Sequence, residues 1–436
     1  MFKVTFVGAG STVFAKNVLG DCILTPELGP FEICLYDIDP VRLADSKAML
    51  DNINKNHNGL ADIKATLDRR EALAGAKYVV NAIQVGGYEP STVIDFEIPK
   101  KYGLRQTIAD TLGIGGIFRA LRTIPVMEEI AKDMEAVCPD ALFINYSNPM
   151  AMLSGYMQRF TKIKTVGLCH SVQSCASGLL SLLQMHEYVS NCKWEIAGIN
   201  HQAWLLKITD KNGRDLYPEI KRRSLHPTPD IPNADLVRRD IMHRFGYYVT
   251  ESSEHSSEYL PWYIKEKYPE LIERYQIPLD EYPRRCIAQI DGWSKMREAL
   301  VNDTALTHNK THEFASYIIG AMESDRPYRI HGNVLNTGLI TNLPQNACVE
   351  VPCLVDQNGI NPCVVGDLPE QCAALNRTNI NVQLLTIEAA VTRKKDYIYM
   401  AAMLDPHTGA ELSQDEITAM CDDLIAAHGS YLPEYF

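Results

Sequence analysis

The chain has 436 residues, 46% of them hydrophobic and 22% charged, with a formal net charge of −12. That length allows a large core and two lobes, and the acidic balance without a basic run excludes nucleic-acid binding by phosphate neutralisation. The longest apolar runs fall far short of the ~20 residues of a membrane span. Twelve cysteines stand without a CxxC pair, and Met1 almost touches the first strand, so reduced thiols, no signal peptide and a cytoplasmic location are expected.

Residues 4–7 read as a short apolar strand running into Gly8-Ala9-Gly10-Ser11-Thr12. A Gly-rich turn between a strand and a helical stretch suits a dinucleotide. Gly8 permits the tight turn, Gly10 lets the backbone approach a pyrophosphate, and the helix N-terminus offers free N–H groups. The third glycine of the G-x-G-x-x-G pattern is replaced by Val13. Residues 32–36 form a second strand ending at Asp37, 27 residues after Gly10. An acid there can accept from both ribose hydroxyls and favours NAD over NADP.

Residues 40–54 have helical spacing, and 78–83 form a third strand ending at Gln84-Val85-Gly86-Gly87. Asp110 precedes a second glycine cluster, Gly113, Gly115 and Gly116, which reads either as a capped helix start or as a polar active-site loop. A long helix is predicted over 117–137, with Pro125 near a turn or kink. A strand over 141–146 then ends in Ser147-Asn148-Pro149, with Asn148 at the crevice. Buried strands interleaved with helices predict an α/β fold built on a Rossmann-type, doubly wound parallel sheet.

Cys169 follows a strand over 164–167, and His201 follows the strand-like 195–199. Both fall at carboxyl ends of strands, where open α/β sheets bind ligands. Two protein ligands leave positions open, as a catalytic metal requires, and a thiolate with an imidazole suits a divalent transition metal without selecting one. Beyond Trp194 the pattern changes. Residues 195–208 alternate like a strand, 225–233 are Pro-rich with a surface loop over 226–232, and polar helical stretches follow. The boundary falls near 190–200, giving a NAD-binding lobe over 1–195 and an α+β substrate and oligomerisation lobe over 196–436. The segment 250–262 is dense in titratable and hydroxyl groups, either a solvated loop or a pocket wall placing Tyr259.

Taken together, these residues resemble glycoside hydrolase family 4, the NAD- and manganese-dependent glycosidases, which do without the usual carboxylate pair. The resemblance runs from Gly8-Ala9-Gly10-Ser11 through Asn148-Pro149-Met150, Cys169-His170-Ser171-Val172, Gly198-Ile199-Asn200-His201 and Glu258-Tyr259-Leu260-Pro261-Trp262 to Asp405-Pro406-His407-Thr408. It implies a lactate/malate dehydrogenase-like fold, the cofactors NAD and Mn²⁺, and hydrolysis by oxidation, elimination, addition and reduction. The tetrapeptide at 169–172 resembles the α-galactosidase branch, which implies an α-galactoside substrate of the melibiose or raffinose type. An α-glucosidase or α-galacturonidase of the same family, an NAD-dependent 2-hydroxy acid dehydrogenase and an inactive sugar or NAD sensor stay open. The resemblance implies Cys169 and His201 as metal ligands, Asn148 at the substrate, Tyr259 as the base at C2 and Asp110 as its support. His170 or another group is the proton donor, and Arg284 or Arg285 the substrate-binding arginine. Gly8, Gly10, Ser11, Thr12, Asp37 and Gln84 are the expected cofactor contacts. A homodimer or homotetramer is implied as well.

Overall fold

The structure is a computed structural model that describes residues 1–225, 229–311 and 313–436. The surface loop expected over 226–232 therefore begins outside the described residues. Six strands build the first half: β1 (Lys3–Val7), β2 (Phe31–Tyr36), β3 (Ala61–Thr66), β4 (Tyr78–Asn81), β5 (Leu142–Asn145) and β6 (Lys164–Gly167). All pair in parallel, in the order β3-β2-β1-β4-β5-β6, which is the doubly wound order of dinucleotide-binding sheets.

The central strands β1, β4 and β5 are buried on both faces along nearly their whole length, as a covered parallel sheet requires. Alternate side chains then feed two separate cores. Val4, Phe6, Val80 and Ile144 pack with Val18, Leu19, Met49 and Leu50 from helices Val13–Ile23 and Pro40–His57. Val79 and Phe143 pack on the other face with helices Gly113–Val137 and Met150–Phe160. Each fully buried Val, Leu or Phe side chain contributes about 1.5–3 kcal/mol. Helix Pro40–His57 starts where Asp39 accepts hydrogen bonds from the N–H groups of Val41 and Arg42, with Pro40 at the first helical position.

The remaining strands are β7 (Lys193–Ile199), β8 (Gln202–Thr209), β9 (Tyr248–Val249), β10 (Tyr328–Leu335), β11 (Cys348–Asp356) and β12 (Gly359–Pro362). They extend the same sheet, in antiparallel pairing, in the order β6-β10-β11-β7-β8-β9, and β12 pairs with β11. Among the described residues no helix is long and apolar enough to cross a membrane.

Two local expectations are corrected. The alternation over 195–208 is a hairpin rather than one strand, because His201 takes φ +63 and reverses the chain between Ile199 and Gln202. Helix Gly113–Val137 runs unbroken through Pro125 and starts four residues earlier than 117. Its buried face, from Ile114 to Met134, outweighs the roughly 3 kcal/mol a proline costs in a helix interior. The glycines at its start serve close packing. A Cβ on Gly115 would lie 2.5 Å from the Ala109 carbonyl oxygen, and one on Gly116 2.7 Å from the carbonyl carbon of Thr111.

Asp21 ties helix Val13–Ile23 to the segment ahead of helix Phe314–Ser324. Its fully buried carboxylate lies 2.7 Å from His308 Nε2 and accepts from the Thr311 N–H (2.7 Å) and the Thr311 hydroxyl (2.6 Å). Burial alone would raise its pKa, yet these hydrogen bonds bring it below the ordinary carboxylate value. The stabilisation is therefore present above the unfolded-state pKa and is lost as the pH falls through the lower folded-state value. Asp21→Asn should cost about 1–3 kcal/mol in urea unfolding at pH 7, and the gap to the parent should narrow in acid.

Candidate active site

The turn after β1 is built for close approach. Gly8 has φ +89, and a Cβ there would sit 2.6 Å from the Ala82 carbonyl oxygen; one on Gly10 would sit 2.8 Å from the Asp37 carboxylate. Asp37, just past β2, accepts from the N–H of Gly10 (2.6 Å) and of Asp39 (2.9 Å), and Arg42 Nε donates to the Gly10 carbonyl (2.6 Å). Thr12 takes φ +46. Ser11 Oγ is buried without a hydrogen-bond partner among the described residues. Gln84, beyond β4, donates to Thr92 Oγ1 at 3.4 Å. An orphaned hydroxyl, a turn with no room for Cβ atoms and an acid resting on it fit the pyrophosphate and ribose of a dinucleotide.

A second cluster lies at the ends of β6, β7 and β9. Cys169 follows β6, His201 sits in the β7–β8 hairpin and Glu251 follows β9. One donor atom from each lies within 4.8 Å of the others. Burial pushes the Cys169 thiol up, but the neighbouring His201 imidazole, by charge and by hydrogen bond, brings it below its ordinary value. Burial would lower His201 in turn, and Cys169 and Glu251 raise it. Thiolate, imidazole and carboxylate together fit a divalent transition metal. Glu251 stands at φ +68, a conformation that a residue with a Cβ holds only when its surroundings impose it.

Tyr259 caps the short helix Ser253–Glu258 and is buried, with its hydroxyl 2.9 Å from His201 Nδ1. Burial first, then the charges of Asp110, Glu258 and Glu251, hold its phenol well above the ordinary value. Asp110 accepts from Asn148 Nδ2 (3.1 Å) and from the Thr111 hydroxyl (2.9 Å), and His255 Nε2 lies 3.7 Å away. Burial opposes its ionisation, yet His255 and then Arg119 hold it well below the usual carboxylate range. No hydrogen bond joins Asp110 to Tyr259 among the described residues; the two act on each other through charge.

His170 is next to Cys169 in sequence, but its ring turns outward. It is half exposed, lies between Tyr146 and Phe314, and places Nε2 2.8 Å from Glu313 Oε2. That hydrogen bond raises its pKa and favours the protonated ring. Arg285 is not gathered with Asn148. It is exposed on helix Glu281–Val301 and pairs with Glu281 (2.9 Å) and Glu254 (3.8 Å), and Arg284 likewise pairs with Glu281 (2.8 Å). The arginine beside Asn148 is Arg119, which donates to the Asn148 carbonyl (3.2 Å) and the Tyr282 hydroxyl (3.2 Å). Sequence reasoning missed Arg119 and Glu251. The one signal for Glu251 was the titratable density of 250–262; for Arg119 it was its place one turn after Gly116.

The family 4 glycosyl hydrolase sequence profile matches residues 3–185, and the profile of that family's C-terminal domain matches residues 196–408. An alpha-galactosidase of Bacillus subtilis (strain 168) is 63% identical over 436 residues, covering the whole of both chains. Among solved structures, a putative glucosidase of Bacillus subtilis superposes with a TM-score of 0.87 at 23% identity, over 97% of this chain and 99% of that one. A 6-phospho-alpha-glucosidase from gut microorganisms, solved with NAD and Mn²⁺, gives 0.79 at 21% identity over the full length of both. With both profiles matched in order and a full-length relative at that identity, the chain belongs to the family 4 glycosyl hydrolases.

Proposed function

We propose that this chain hydrolyses α-galactosides with NAD and a divalent metal, manganese being the expected ion. The observation that carries the reading is the convergence of Cys169, His201 and Glu251 in a protein whose Gly8–Gly10 turn and Asp37 suit a dinucleotide. The full-length likeness to an alpha-galactosidase supports the substrate class. NAD, held by Gly8, Gly10, Ser11, Thr12, Asp37 and Gln84, would supply a hydride acceptor at sugar C3 that is regenerated in each turnover. The metal, held by Cys169, His201 and Glu251, would supply Lewis-acid polarisation of sugar oxygens.

The chain's own groups divide the remaining work. Asn148, at the end of β5, orients the sugar, its amide fixed by Asp110. Tyr259 takes the C2 proton. Its pKa is raised in this structure, so its proton must leave under the pull of positive charge, and His201 Nδ1 at 2.9 Å is placed to hydrogen-bond the phenol oxygen. His170, whose protonated form the Glu313 hydrogen bond favours, delivers a proton to the leaving oxygen from the half-exposed rim. Water then adds, so the net reaction is hydrolysis.

We also place the protein in the cytoplasm, which its free cysteines support, and propose a homodimer or homotetramer. Helix Glu281–Val301 supports an assembly of copies. Of its 21 residues only Cys286 is buried, and Ile287, Ile290 and Met296 are exposed along it.

With p-nitrophenyl α-galactoside, cleavage should require NAD⁺ and Mn²⁺, stop on adding EDTA and proceed without net NADH. In D₂O the galactose released should carry deuterium at C2. A product free of deuterium, or stoichiometric NADH from a 2-hydroxy acid, would overturn the reading, and faster cleavage of a glucoside or galacturonide would move the substrate within the family. Glu251→Gln and Cys169→Ser should each weaken Mn²⁺ binding to the apo-protein by at least about tenfold in calorimetry, with NAD binding retained. Ile287→Asp combined with Ile290→Asp should lower the mass seen by light scattering if this helix joins copies.

A further inference from the structure

We propose that Glu258 is a positioning residue that locks the loop 106–110 onto the helix leading to Tyr259, and so sets Asp110 and Tyr259 against each other. This rests on the roles given to those two residues above. The side chain is buried, at 3% exposure. Its Oε1 accepts from the N–H groups of Thr107 (2.5 Å) and Ile108 (3.1 Å), and its Oε2 from that of Ala109 (3.1 Å). Three successive backbone donors around one carboxylate form a nest for an anion. A second tie runs from the Thr107 hydroxyl to the Glu254 carbonyl on the same helix (2.7 Å).

The loop needs such an anchor at its centre. Ala109 takes φ +51, which a residue with a Cβ does not hold unaided. The other ties act on the flanks or on carbonyls. His407 Nε2 lies 2.8 Å from the Arg105 carbonyl, Gln106 donates to the Asp95 carbonyl (2.8 Å), and the N–H groups of Asp280 and Tyr282 reach the carbonyls of Gln106 (2.9 Å) and Thr107 (3.0 Å). For the donors of 107–109, Glu258 is the hydrogen-bond partner, and Asp110 follows at once.

Burial pushes Glu258 up to about 7, against the lowering effect of the Ala109 and Thr107 N–H bonds. The titratable groups facing it are His255 and Tyr259 of its own segment and Asp110 of the loop. A carboxyl raised in the folded state loses stabilising effect as the pH rises from the unfolded value to the folded one. The closed loop therefore binds this proton more tightly than an opened loop that exposes Glu258 to water. As the pH rises through about 7 the buried carboxyl gains its charge and the closed loop loses part of its advantage over the opened one.

Two measurements test this on the intact protein. In Glu258→Gln an amide NH₂ faces backbone donors, so kcat should fall about a hundredfold while KM and the affinities for NAD and Mn²⁺ stay within about threefold. Glu258→Asp should restore part of the loss. Hydrogen exchange of the peptide covering 106–110 in the unmutated protein, corrected for intrinsic rates, should show protection at pH 6 that drops at pH 8 while β1 and β4 stay protected. Unchanged kcat in the Gln variant, or equal protection of 106–110 at both pH values, overturns the proposal. The exchange result stands if the Gln variant fails to fold, and equally if no galactosidase activity is found, so a wrong function and a wrong role for Glu258 are told apart.

Discussion

The active centre depends on how the sheet is closed between its two halves. At one level across it the strands align Gly167 of β6, Asn333 of β10, Glu350 of β11 and Gly198 of β7. Asn333 Nδ2 bridges the Gly167 carbonyl (3.3 Å) and Glu350 Oε1 (3.2 Å). A Cβ on Gly167 would stand 2.4 Å from Ser154 Oγ, and one on Gly198 2.6 Å from Ala203 Cα, so both strands come closer than side chains would allow. Cys169 lies two residues past the first glycine and His201 three past the second. The register of this row brings a thiolate and an imidazole from distant parts of the chain to one place.

Electrostatics follow from that convergence. Asp110, Glu251, Glu258 and Glu350 crowd a region from which water is largely excluded. Burial, then the Cys169 charge, raises Glu350 well above the ordinary carboxylate value behind the cluster. Asp110 and Glu251 stay ionised because His255, His201, Arg119 and Arg238 face them. Arg238 is itself held over the Tyr248 ring at 4.2 Å and 3.5 Å from Asp235. Glu251 and Cys169 can meet an arriving cation with negative charge, and the proton a ligand surrenders on binding makes that affinity fall in acid.

What the sequence made legible was local. A short apolar strand followed by glycine and, after the next strand, an acid are marks of a few residues each, and the structure brings Gly8, Gly10 and Asp37 together at one turn. Cys169 and His201 were likewise visible as chemistry at strand ends. Glu251 and Arg119 were not, because nothing in their neighbourhoods distinguishes a ligand from a solvated acid or a helix-surface arginine; only pairing across the chain decides, 82 residues for Glu251 with Cys169 and 29 for Arg119 with Asn148. The hairpin at 200–201 hid in an alternating pattern because one residue at positive φ leaves the period of two intact on either side. Pro125 misled for the opposite reason, since a local rule was overridden by the burial of a whole helix face.

Helix Glu281–Val301 has a consequence beyond its exposed face. Near one end the Tyr282 hydroxyl meets Arg119 beside Asn148; near the other, Arg297 grips the buried Asp45 carboxylate with two hydrogen bonds (2.6 and 2.8 Å) on the helix that starts just after Asp37. A 21-residue helix spans about 30 Å, so it acts as a tie-rod between the Asp37 end of the crevice and the Asn148 end. The two ends keep a fixed spacing, so the turn carrying Asp37 and the wall carrying Asn148 are braced by one common strut.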